Sequence, residues 1–134
     1  MVAPRRTLSN VPEGLRYTTD HEWAKVEGSR ARVGITDHAQ AELTDVVYVE
    51  LPQAGKVVKA GDPLGVVESV KAVSEILAPV AGTVIETNGS LEDHPETVNK
   101  DPYGGGWMVI LEMQDASDAP RLMGAAEYRR HIGD

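Results

Sequence analysis

Five residues, Glu68-Ser69-Val70-Lys71-Ala72, join two short apolar runs at 64–67 and 73–77. Both runs are rich in β-branched side chains, with Gly65 before the five residues and Pro79 after them. Each run therefore reads as a strand rather than a helix. Folded back on one another, the strands put Val70 and Lys71 at a turn. A lysine there holds its amine clear of the surface on a flexible four-carbon stem, within reach of a modifying enzyme. From these residues alone, Lys71 is either such an acceptor or an ordinary solvated loop lysine.

Other chemistry is poorly represented. The chain has no G-x-S-x-G, no P-loop and no H-E-x-x-H. His21, His38, His94 and His131 lack metal-ligand spacing and read as surface or hydrogen-bonding groups. Gly104-Gly105-Gly106 reads as a turn, because no helix starts after it to hold a phosphate. There are no cysteines, so disulfides, thiolate metal sites and a cysteine nucleophile are excluded. Redox sulfur chemistry, if the protein has any, comes from an attached group. Nothing in the chain nominates an enzyme.

The elements that must position Lys71 are short and mainly β. Strands are predicted over 22–27, 30–35, 46–51, 57–58, 64–68, 73–77, 83–86 and 107–112, a cadence that points to a sandwich or barrel. Thr36 or Asp37 is suited to cap a short helix ending at Leu43. The polar crossing 88–106 has room for one helical turn at 96–99. One or two short helices are expected after Ala116, broken at Gly124. The pattern Ala54-Gly55-Lys56-Val57-Val58 returns as Ala81-Gly82-Thr83-Val84-Ile85, suggesting a quasi-twofold sandwich with Lys71 near the dyad.

The chain's 134 residues suit a single domain with a moderate core. Residues 1–14 read as a flexible arm and 15–134 as one domain. Arg5 and Arg6, in an acid-free stretch, leave a transit peptide as an alternative. Aromatics are 4% with no Phe, so the core must be mostly Val, Leu, Ile and Ala. A net charge of −8 argues against nucleic acid as a partner. No apolar run approaches the roughly 20 residues that cross a membrane.

Several ordered motifs together resemble the glycine cleavage system H protein family, a family of lipoyl carriers. Glu68-Ser69-Val70-Lys71-Ala72 resembles its attachment motif. Tyr17-Thr18 with His21-Glu22-Trp23 resembles Y-T-x-x-H-E-W, and Val33-Gly34-Ile35-Thr36-Asp37 with Ala39-Gln40 resembles V-G-I-T-D-x-A-Q. Asp101-Pro102-Tyr103-Gly104 and Gly106-Trp107 resemble D-P-Y-G-x-G-W, and Ala126-Glu127-Tyr128 resembles the A-x-x-Y near the family's end. The resemblance runs from about Leu15 to Tyr128. Biotin carriers share such a hairpin but carry A-M-K-M. Lipoyl domains of 2-oxoacid dehydrogenases show D-K-A, where this chain has Val70-Lys71-Ala72.

The resemblance implies a lipoyl-domain-like β-sandwich, a barrel-sandwich hybrid with a short internal helix and short C-terminal helices. It implies lipoate in amide linkage on Lys71, with Glu68, Ser69, Val70 and Ala72 as the attachment motif. It implies a carrier, not an enzyme, in glycine catabolism and one-carbon metabolism. An aminomethyl group would pass from a pyridoxal-phosphate glycine decarboxylase (the P protein) to a tetrahydrofolate-dependent aminomethyltransferase (the T protein). A dihydrolipoyl dehydrogenase (the L protein) would then reoxidise the dithiol. A lipoate ligase or a lipoyl or octanoyl transferase would modify the lysine. The loaded arm would fold into a cleft lined by carboxylates, for which Glu22, then Glu75, then Asp20 are the candidates. Thr44 stands where the family commonly has Gly, and Glu75 where it usually has Asp. The setting implied is bacterial-like cytoplasm, with the mitochondrial matrix as the alternative. A lipoate-relay protein that donates lipoyl groups to other complexes is the second reading, and an unmodified β-sandwich binding module the third.

Overall fold

A computed structural model describes residues 9–134, so Arg5 and Arg6 lie outside the described residues. In chain order the elements are β1 (Arg16–Tyr17), β2 (Glu22–Glu27), β3 (Arg30–Ile35), α1 (Asp37–Leu43), β4 (Val46–Glu50), β5 (Val57–Val58), β6 (Pro63–Ser69), β7 (Val73–Leu77), β8 (Gly82–Thr87), α2 (Ser90–Asp93), α3 (Thr97–Lys100) and β9 (Val109–Met113). A 3-10 segment (Ala116–Arg121) and α4 (Ala125–Ile132) follow. Six strands form one sheet in the order β1-β2-β3-β9-β8-β5, and three form another in the order β4-β6-β7. Neighbouring strands are antiparallel throughout.

The sheets close over an aliphatic core. Ala31, Val33, Val84 and Leu111 of the larger sheet join Val49, Leu64, Val67 and Ile76 of the smaller. Each Val, Leu or Ile side chain, fully buried, stabilises the fold by about 1.5–3 kcal/mol. No aromatic residue among the described residues enters this cluster. The aromatics gather in a second cluster, where Tyr17, Trp23 and Tyr128 pack with Val11 and Ala125. Tyr128 of α4 stacks on Tyr17 at 4.7 Å between ring centroids. Residues 9–12 of the expected arm lie against this body. Val11 is 3% exposed, and the Ser9 and Asn10 N–H groups donate to Asp134 Oδ2 and Asp37 Oδ2 at 2.9 and 2.8 Å.

The two near-repeats pair with each other, Val57 opposite Thr83 and Val58 opposite Gly82. Their glycines serve different ends. Gly55 has φ +99 in open space, whereas a Cβ on Gly82 would stand 2.3 Å from the Glu112 carbonyl oxygen. The first is a turn requirement and the second a close backbone approach.

The Gly-rich crossing departs from its expected form. It contains two short helices, and the last strand begins at Val109 rather than 107. Asn88 is the cause: its Nδ2 donates to the Gly105 and Trp107 carbonyls at 2.9 and 2.8 Å, and its Oδ1 accepts from Ser90 Oγ at 2.7 Å. Trp107 is thereby held in a loop. A helix as short as α2 has too few residues to show a period, so only its buried Leu91 marks it.

Candidate functional site

The hairpin around Lys71 forms as expected, with Glu68 opposite Val73. The Ser69 N–H donates to the Ala72 carbonyl at 2.8 Å. Ser69 Oγ accepts from the Lys71 and Ala72 N–H groups at 3.1 and 2.9 Å, so one hydroxyl ties both amides of the bend. Val70 N–H donates to the Asp45 carbonyl at 3.0 Å, anchoring the tip to the entry of β4. Lys71 is exposed, and its Nζ donates to the Glu42 carbonyl at the end of α1 at 3.3 Å.

Beside Lys71 opens a cleft of about 490 Å³. Ala39, Glu42 and Leu43 of α1 form one side, Ala72 to Ile76 the other, and Asp20, His21, Glu22 and Ile35 the rest. Lys71 itself lines it. The three carboxylates singled out in the sequence thus meet the lysine in one space, although Asp20 and Glu75 are exposed and Glu22 is 2% exposed. Glu68, Ser69 and Val70 do not line it.

α1 owes its place to Thr36, which is the N-cap and accepts from Ala39 N–H at 3.1 Å. At the other end Thr44 adopts φ +64. A β-branched residue there is strained by about 1–3 kcal/mol. The Thr44 carbonyl is held by Asn99 Nδ2 at 2.7 Å.

Glu22 is a buried carboxylate with fixed partners. Its Oε1 accepts from Thr18 Oγ1 at 2.6 Å and its Oε2 from Leu77 N–H at 3.3 Å. Thr18 Oγ1 also accepts the N–H groups of Glu22 and Asp20 at 3.1 and 3.2 Å. Burial pushes the Glu22 carboxyl up to about 7, against the lowering effect of its two donors. Replacing Thr18 by Val removes the shorter donor. The Glu22 carboxyl is then expected to titrate higher still, with a cost of about 1–2 kcal/mol to stability at pH 8. Carboxyl-carbon NMR titration reads the first and thermal unfolding the second; Thr18→Ser restores both. An unmoved titration in Thr18→Val would remove Thr18 from this role.

Sequence spacing missed a histidine cluster behind the cleft. His21 sits at φ +73 in the turn before β2. Its Nδ1 is 2.8 Å from Tyr128 Oη, which is 2.7 Å from Thr36 Oγ1. The His38 and His131 rings lie 4.8 and 5.8 Å from that of His21. Burial, then the neighbouring His38, hold the His21 imidazole below its ordinary range. His38 Nε2 faces Glu42 Oε1 at 3.0 Å. Among the described residues no group of three or more His, Cys, Asp or Glu is placed to hold a metal. These histidines come from the turn before β2, from α1 and from α4, and no local period could reveal that.

The cleft fits a flexible chain amide-linked to Lys71. The amine starts at the rim, Ile35, Ala39, Leu43 and Ile76 offer apolar contact, and Glu22, Asp20 and Glu75 offer negative charge to a cationic end.

Comparisons with known proteins agree on one family. A family model described as glycine cleavage H-protein matches residues 15–134. A glycine cleavage system H protein of Halalkalibacterium halodurans is 53% identical over 127 residues, covering 95% of this chain and 99% of that protein. One from Anaeromyxobacter sp. (strain K) is 57% identical over 122 residues, covering 91% and 95%. The crystal structure of a glycine cleavage system H protein from Mycobacterium marinum superposes with a TM-score of 0.84 at 38% identity, over 92% of this chain and all of that one.

Proposed function

Because the chain belongs to the glycine cleavage H-protein family, with a role in the glycine cleavage system, we propose that it is that system's lipoyl-bearing shuttle, modified on Lys71. It takes the aminomethyl group from the glycine decarboxylase, yields it to the aminomethyltransferase, and is reset by dihydrolipoyl dehydrogenase. The lipoyl group supplies the sulfur that bears the cargo and the dithiol that is reoxidised. The partners do the remaining chemistry, and this chain supplies position and effective concentration.

The observation that carries the reading is the meeting of an exposed Lys71 and a buried Glu22 in one cleft. Lys71 is the attachment point, held on a bend that Ser69 keeps rigid. Ile35, Ala39 and Leu43 bury an apolar stem and exclude water. Glu22 receives the ammonium end. A cation arriving beside it favours the ionised carboxylate and draws its raised pKa down, so charge develops there when it is needed. Asp20 and Glu75, at the exposed rim, add field but less directed bonding.

Two measurements test this. Protein made in lipoate-replete cells is expected to gain about 190 Da, the mass of one amide-linked lipoyl group, on the peptide spanning Lys71. The modified protein, mixed with glycine decarboxylase, should support glycine-dependent exchange of carbon dioxide. Modification without exchange would favour the lipoate-relay reading, and absence of modification would leave an unmodified binding module.

A further inference from the structure

Of the chain's two Trp and four Tyr, all but Tyr48 pack in or against the second cluster. Tyr48 is 47% exposed on β4, and Val47 beside it is 53% exposed. A bulge explains the pair. Val46 opposes Ser69 and Tyr48 opposes Glu68, leaving Val47 as the extra residue, so two successive side chains face solvent. Tyr48, Glu68 and Val73 then form one cross-strand row, with Glu68 within contact reach of both. Val73 is 66% exposed, and Val70 at the hairpin tip 70%. Four large apolar side chains therefore surround the Lys71 bend.

Lys71 at the bend and Lys56, which shares a groove with Glu50 and Glu75, are the neighbouring cations among the described residues, but the charge on the three strands has one sign. β4, β6 and β7 carry Glu50, Glu68 and Glu75 and no Lys or Arg. A second copy would set this acidic sheet against its like, and an anionic membrane would be repelled. A protein surface with an apolar pocket rimmed by Lys and Arg complements it. Such a partner is further specified by reach. The bare Lys71 amine stands one side-chain length from the bend, so a catalyst acting on it must sit against the bend, where Val70, Val73, Tyr48 and Val47 are the exposed apolar contacts. Enzymes acting at the far end of an attached arm can approach from the cleft instead.

We infer that the outer face of the β4-β6-β7 sheet, centred on Val47 and Tyr48, docks the enzyme that acylates Lys71. This rests on the reading of Lys71 as the acceptor. The test uses unmodified full-length protein with a purified lipoate ligase, lipoate and ATP, following the mass of the Lys71 peptide. In the double variant Val47→Ser, Tyr48→Ser, kcat/KM for acylation is expected to fall about tenfold or more, carried by KM, with Tm unchanged. Glu50→Lys should weaken acylation at low salt and less at high salt. Once modified by prolonged incubation, the double variant should exchange with glycine decarboxylase at the wild-type rate. Wild-type acylation kinetics in the double variant would overturn the inference. So would an equal loss with both enzymes, or a dimer in sedimentation that the variant disperses. If wild-type protein itself gains no mass, the reading of Lys71 falls and the docking inference with it.

Discussion

A Lys71→Arg variant is expected to fold with an unchanged Tm and to gain no lipoyl mass under conditions that modify the wild type completely. The lysine is exposed, and its Nζ contact to the Glu42 carbonyl is long. Little stability is therefore at stake; a surface contact of this kind is worth about 0–1 kcal/mol. Guanidinium keeps the positive charge and can still reach that carbonyl, but it is not deprotonated in proteins and forms no amide with an activated acyl group. Glycine-dependent exchange with the decarboxylase should accordingly vanish, while circular dichroism and thermal unfolding match the wild type. Lipoylation elsewhere, or full exchange by this variant, would remove Lys71 from the mechanism. The contrast between complete loss of function and no loss of stability is the mark of a residue used only for chemistry.

Glu22→Gln should behave in the opposite way, with a gain in stability and a loss of protection. The Glu22 carboxyl has its pKa raised by burial to about 7, against an ordinary value of 4.5. Its folded-state pKa lies above the unfolded one, so the stabilising contribution of the protonated acid is complete below pH 4.5 and is lost as pH rises through 7. The penalty at pH 8 is about 3 kcal/mol. Gln does not ionise, so the stability difference between variant and wild type should move in the variant's favour by about that amount between pH 4.5 and pH 8. Denaturant unfolding at the two pH values reads this difference and cancels the fixed cost of the altered hydrogen bond to Thr18. In the loaded protein, Gln cannot supply the charge that pairs with an ammonium end. Release of ammonia from the loaded variant should then be about tenfold faster or more, the equivalent of a buried charge-assisted hydrogen bond. A pH-independent difference would contradict the buried acid, and equal release rates would contradict its contact with the cargo.

Much of the fold is legible residue by residue. The β-branched runs around Lys71, the turn residues between them and the Thr36 cap are local signals, and each is realised where expected. The scarcity of aromatics points to a mostly aliphatic core, and the main cluster is aliphatic, with Tyr17, Trp23 and Tyr128 in a smaller one. What escaped has no local signature. β1 is two residues long and exists because Tyr17 pairs with Trp23 and with Met123. The late start of β9 depends on Asn88 reaching across the crossing to Gly105 and Trp107. The exposure of both Val47 and Tyr48 depends on a slip of register against β6, which an alternating pattern cannot announce.

By itself the sequence determined that a lysine would stand at a bend between two strands, that the core would be aliphatic, and which family the ordered motifs resemble. Those conclusions need only nearest neighbours along the chain: strand propensity, turn chemistry and composition. The tertiary structure alone decided that Glu22 would be buried while Asp20 and Glu75 stayed exposed, and that His38 and His131 would gather around the His21 ring. A carboxyl group's desolvation is set by everything packed around it, and that packing is made by strands and helices distant in sequence.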